Sequence, residues 1–160
     1  MRHTLVLTGL ATAALSTASL FACGDSNSAR TYNLTLDKAS EFPVCADAGV
    51  NATGTATIVV AADNSNIAAT VSYSGLSGPP FMAHIHSGTP GVAGPVVLPF
   101  TVPLTSPYSQ TFTASNYDNS GAGAPATFAD FVNNMRAGSQ AYTNIHTDAC
   151  RPGEIRADIR

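Results

Sequence analysis

The sequence predicts an all-β fold, an antiparallel Greek-key-type sandwich or barrel with one short α-helix near residues 126–137. Three observations lead there. Short runs rich in Thr, Val and Ile recur along the chain, a preference of pleated, half-buried surfaces. Turn-forming clusters separate them, supplied by 13 Gly and 10 Pro among 160 residues. A single interval carries helical spacing instead of alternation.

Taken in order, the first strand begins at Thr31, where Tyr32, Leu34 and Leu36 alternate with Asn33 and Thr35. Thr53–Ala61 and Ile67–Tyr73 are β-branched runs joined by Ala62-Asp63-Asn64-Ser65-Asn66, a hairpin signal. Phe81–His86, Val96–Phe100 and a segment around Gln110–Ala114 follow, with Gly- and Pro-rich loops between them. In Ala126–Ala137 the apolar residues Phe128, Phe131, Val132 and Met135 fall on one helical face, and Gly138 stands where a helix would stop. Ala141–His146 and Glu154–Ile159 close the chain as two strands. On the last of these, Glu154 and Arg156 alternate with Ile155, which predicts a solvated or cross-strand ion pair.

Residues 1–22 have the plan of a secretory signal: Arg2 and His3, then a small and apolar stretch, then Leu20-Phe21-Ala22-Cys23. The stretch is too short and too rich in Thr and Ser for a permanent spanning helix. Its end resembles a bacterial lipobox, in which the Cys is lipidated and becomes the mature N-terminus, so Cys23 is the expected anchor; ordinary cleavage near Ala22 is the alternative. Residues 23–30 then form an anchor and a small, polar tether, and residues 31–160 form the domain. The expected location is the cell envelope, periplasmic or lipid-anchored at an outer membrane, with the membrane as a partner only through that lipid.

Setting Cys23 aside leaves Cys45 and Cys150, an even pair in an oxidising compartment, which favours one disulfide over two buried thiols. Nucleic acid is excluded as a partner by charge. One Lys and six scattered Arg, against 10 Asp plus Glu, leave a net charge of −3 and no basic cluster to meet phosphates. Catalysis is poorly supplied as well: there is no Gly-x-Ser-x-Gly elbow, no phosphate loop, and no carboxylate pair marked by its neighbours.

Chemistry collects at the histidines. Beyond the leader there are three, in Ala83-His84-Ile85-His86-Ser87-Gly88 and Asn144-Ile145-His146-Thr147. Residues two apart on a strand share a face, so His84 and His86 point together, and His146 from another strand could complete a three-nitrogen metal set. Such histidines also serve as hydrogen-bonding posts that tie loops together. If they bind metal, neutral imidazole is the ligand form and uptake is expected to weaken below about pH 6.

These motifs carry a resemblance. Phe81-Met82-Ala83-His84-Ile85-His86-Ser87-Gly88 leads into Gly91-Val92-Ala93-Gly94-Pro95, and Tyr142-Thr143-Asn144-Ile145-His146-Thr147 and Pro152-Gly153-Glu154-Ile155-Arg156 come later. Together they resemble the CHRD domain, named after chordin and widespread in bacterial exported proteins. The resemblance implies an extracellular all-β module with a binding or structural role and an unidentified extracellular protein as a partner. A more remote similarity is to Cu/Zn superoxide dismutase, also a sandwich with a His-x-His strand and a later His. It implies copper as the candidate cofactor of His84, His86 and His146. The bridging histidine and zinc site of that enzyme have no counterpart here, so dismutase activity does not follow. The expectation is a non-catalytic binding or structural module, with copper binding as the alternative.

Overall fold

A computed structural model describes residues 28–138 and 140–160. The expected signal, Cys23 and most of the tether lie outside the described residues.

Eight strands form one antiparallel sheet: β1 (Arg30–Asp37), β2 (Thr53–Val60), β3 (Ile67–Ser74), β4 (Pro80–Ser87), β5 (Val96–Pro99), β6 (Tyr108–Phe112), β7 (Ala141–Thr147) and β8 (Ile155–Ile159). Their spatial order is β5-β4-β7-β8-β1-β2-β3-β6. The sheet curls into a nearly closed barrel, which resolves the sandwich-or-barrel alternative. Side chains close the gap between the two edge strands. Phe100, just after β5, meets Tyr108 and Phe112 of β6 edge-on, with ring centroids 5.0 and 4.9 Å apart. The free edge of β5 is blunted by Asp118, whose N–H donates to Val97 O at 2.9 Å.

Local chemistry explains the register. β1, β2 and β3 pair residue for residue from Arg30↔Val60 and Val60↔Ile67 onward, so one alternating set faces inward. Tyr32, Leu36, Ala56, Ile58, Val60, Ile67, Ala69 and Val71 are buried, while the threonines between them face out. The segment expected as a strand to Ala114 pairs only to Phe112, and Ala114–Asn116 turns as a 3₁₀ helix.

Helix α1 (Phe128–Ala137) begins two residues later than its spacing suggests, because Thr127 caps it. The Thr127 hydroxyl accepts from Asp130 N at 3.1 Å, and the chain turns off at Gly138 with φ 98°. Phe128, Phe131, Val132 and Met135 are buried in the core. Arg136 ties the helix to the β2–β3 turn through Asn64 Oδ1 at 2.7 Å and Ala61 O at 2.8 Å. The helix is thus a lid on one end of the barrel.

Candidate metal centre

β4, β7 and β8 are neighbours, and their two faces have opposite chemistry. Ala83, Ile85, Ala141, Ile145, Ile155, Ala157 and Ile159 point into the core. The pairings Met82↔His146, His84↔Asn144 and His86↔Tyr142, followed by Asn144↔Arg156 and Tyr142↔Asp158, put the polar residues together on the outer face.

That face is roofed. The β1–β2 connection reaches over it, with Glu41 accepting from Asn144 Nδ2 at 3.2 Å and Gly49 N donating to Glu154 Oε1 at 2.8 Å. The Cys45–Cys150 disulfide fastens this loop to the β7–β8 loop. The β4–β5 connection covers the other side, held by Arg156 through Val92 O at 2.9 Å and Thr89 O at 3.0 Å.

Glu154 and Arg156 therefore depart from the solvated ion pair expected of them. Both are fully buried and neither is the other's partner. The Glu154 carboxylate accepts from Gly49 N, Ser77 N, Ser77 Oγ and Thr147 Oγ1. Burial alone would raise its pKa; these four donors outweigh that and hold it below the usual glutamate range. Arg156 pairs with Asp158 at 2.8 Å and lies 3.5 Å from the centroid of the Tyr142 ring, which stacks on His86 at 4.4 Å. The alternation was correct, but two long loops turned a surface into an interior.

The three sequence-predicted histidines come together beneath this roof. His84, His86 and His146 are all buried, and one ring nitrogen from each lies within 4.8 Å of the others. Three nitrogens bound to one copper or zinc ion at about 2.0–2.2 Å lie roughly 3.3–3.8 Å apart in trigonal or tetrahedral geometry, so the rings must draw together to complete the set.

Hydrogen bonds to carbonyls fix the tautomers of two rings. A carbonyl only accepts, so His86 Nδ1–H donates to Gly94 O at 2.9 Å and His146 Nδ1–H donates to Arg151 O at 2.8 Å. In the neutral rings both Nε2 atoms then carry bare lone pairs. His84 Nδ1 approaches His146 Nε2 at 3.0 Å and donates to it. Asn144 Oδ1 lies 3.0 Å from both His86 Nε2 and His146 Nε2. Of these three acceptors His146 Nε2 alone receives a proton, from His84, while Asn144 Oδ1 faces both Nε2 atoms with no donor between. While Glu41 is ionised, Asn144 must offer its NH₂ to that carboxylate and its oxygen to the imidazoles. Turning the amide over would instead require a protonated Glu41, a state that burial favours by raising its pKa.

Protonated imidazoles are disfavoured as the way out. Burial, reinforced by His146 and His86, pushes His84 down to about 3, and burial pushes His86 down to about 4. His146 is lowered by burial too, against the hydrogen bond to Arg151. A cation between Asn144 Oδ1 and the two Nε2 lone pairs, taking the place of the His84 proton, would satisfy all of them at once. The donor set fits copper or zinc, with the carbonyl-bound Nδ1–H groups as the outer supports that metal-ligating imidazoles usually have.

A family model for the CHRD domain matches residues 32–159. The chain belongs to the CHRD domain family. No curated protein and no solved structure matches it. Within this CHRD domain the glycines of the two motifs have geometric reasons. A Cβ on Gly94 would stand 1.8 Å from Ser87 O, in the turn that delivers the Gly94 carbonyl to His86. A Cβ on Gly153, whose φ is 144°, would stand 2.1 Å from Glu41 Oε2.

Asn144, Glu41 and Tyr142 belong to the site and were not singled out by sequence reasoning. Tyr142-x-Asn144-x-His146 does carry a signal, since period-two alternation puts all three on the histidine face. Glu41 has none: it arrives from a loop over a hundred residues away from Asn144 in sequence.

Proposed function

We propose that this CHRD domain is a non-catalytic binding module of the cell envelope that holds one copper ion at His84, His86 and His146. The observation that carries the reading is the convergence of His86 Nε2 and His146 Nε2 on Asn144 Oδ1, each 3.0 Å from that oxygen with no donor between the oxygen and either nitrogen. Two of the ligand rings are already oriented by backbone carbonyls, so little ordering cost remains for binding. Copper is favoured over other divalent ions by an imidazole donor set at the top of the affinity series. Such an ion supplies positive charge at a buried cluster of lone pairs, and that charge in turn favours the ionised form of Glu41 behind Asn144, against the burial that raises its pKa.

Export, lipidation at Cys23 and envelope location belong to the same proposal. They rest on the composition of residues 1–22 and the lipobox-like Cys23, with the disulfide as the expected product of an oxidising compartment. Copper titration of protein without a His tag tests the binding. One equivalent taken up at micromolar concentration or below, and lost in His86→Ala and His146→Ala, is the expected result. A wild-type protein that takes up none overturns the reading. Cys23→Ala releasing the protein from the membrane fraction tests the anchor, and an entirely soluble wild type would overturn that part.

A further inference from the structure

Met82 sits where the core gives no reason for it. It lies within β4 and pairs with β7, yet it is 37% exposed while the next four residues, Ala83–His86, are all buried. The other methionine among the described residues, Met135, is fully buried in the apolar core. The sheet register gives Met82 a definite neighbour. The register that pairs His86 with Tyr142 and His84 with Asn144 runs unbroken to Met82, which comes directly opposite His146, and it slips only beyond, between Met82 and Pro80. Met82, His84 and His86 follow one another at every second residue and share the outer face with His146. Directly opposed residues in an antiparallel pair bring their Cβ atoms to roughly 4.5–5.5 Å, and three rotatable bonds let a thioether cover that span.

We propose that Met82 supplies a fourth, sulfur ligand at the exposed rim of the three-histidine site and makes it selective for Cu(I). The inference rests on the copper reading given above and names the oxidation state the site prefers. Thioether sulfur is a soft donor that binds Cu(I) well and contributes little to Zn(II), whereas imidazole serves both. The position also gives the ion a way in. The histidines are covered by loops, and Met82 is the member of the set that meets solvent.

The test is a Cu(I) competition titration against a chromophoric chelator, run on full-length protein with Cys23→Ser so that no free thiol competes. A parallel Zn(II) titration and copper K-edge absorption spectra complete it. Met82→Leu conserves volume and sits on the surface, so the fold is retained. It is expected to weaken Cu(I) binding roughly tenfold or more and to leave Zn(II) affinity within about twofold. The wild-type spectrum is expected to contain one sulfur scatterer that Met82→Leu removes. Cu(I) bound through nitrogen alone, or with equal affinity in both proteins, overturns the Met82 assignment and leaves the three-histidine site standing. A wild type that takes up no Cu(I) overturns both.

Discussion

The two faces of β4, β7 and β8 are made from the same strands and buried to similar depth, yet they are held by different physics. Inward, Ile85, Ile145, Ile155 and Ile159 lose water against other apolar side chains, an interaction without direction. Outward, His84, His86, Asn144, Glu154 and Arg156 are buried under loops, and each is fixed by hydrogen bonds at a stated atom. The inner face tolerates a change of shape better than a change of polarity. The outer face tolerates neither, because every donor removed leaves a buried acceptor behind. Specificity therefore resides on the outer side: the core makes a barrel, and the roofed face gives that barrel a candidate site.

Removing Arg156 should break the comparison most sharply. Arg156→Met leaves two loop carbonyls without their partner and Asp158 with only the exposed Arg160 at 3.6 Å, at an expected cost of about 3–5 kcal/mol, comparable to the ~2–5 kcal/mol of Ile145→Ala on the inner face. Denaturant unfolding measures the totals. Hydrogen exchange separates them: Arg156→Met should expose the amides of residues 88–95 before global unfolding, and Ile145→Ala should not.

Next in size is the fastening of the roof. Cys45→Ser should lower stability by about 2–4 kcal/mol and the melting temperature by several degrees. The loop carrying Glu41 and Gly49 should lose exchange protection first, while α1, on the other side of the sheet, keeps its own.

Acid should unmake the outer face and spare the inner one. The folded pKa values of His84 and His86, about 3 and about 4, lie below the ordinary 6.5 of an unfolded histidine. Between these limits the unfolded chain binds more protons, so stability is full above about pH 6.5 and falls as pH drops toward 4. Glu154, held low by its donors, adds a loss in the same direction, whereas Glu41, raised by burial, opposes it. Urea unfolding of metal-free protein at pH 7 and pH 4.5 should differ by a few kcal/mol in favour of pH 7. The same burial moves acid release of metal below the pH 6 expected from an ordinary imidazole.

The smallest effect belongs to the barrel interior. Among the described residues, Tyr108 Oη is the buried side-chain polar atom with no polar neighbour within hydrogen-bond range. Tyr108→Phe should therefore leave stability unchanged or raise it by up to about 1 kcal/mol. A comparable loss would mean that the inner face, too, uses a specific polar contact.

How much of this was legible follows from the range of each interaction. Strand alternation is local, and it was enough to place β1–β5, β7 and β8 and to put His84 and His86 on one face. Helix periodicity located α1, and only its Thr127 cap moved the start. The pairing of Cys45 with Cys150 came from counting in an expected compartment. Glu154 and Arg156 were misjudged because alternation says which residues share a face and nothing about what covers it. Glu41 was invisible for the same reason, since it depends on a loop laid over the sheet; the place of Met82 opposite His146 depends on the pairing of β4 with β7, which no local pattern announces.

The central claim is that His86 and His146 hold bare Nε2 atoms toward one point and that an ion completes them. Nitrogen-15 NMR of the imidazoles, before and after one equivalent of Cu(I), tests it without a paramagnetic ion. At pH 7 the account predicts Nδ1–H and an unprotonated Nε2 in both rings, with the Nε2 resonances of both shifting on addition while each Nδ1–H stays in place. Protonated Nε2 atoms in the metal-free protein, or spectra that Cu(I) leaves unchanged, would contradict it.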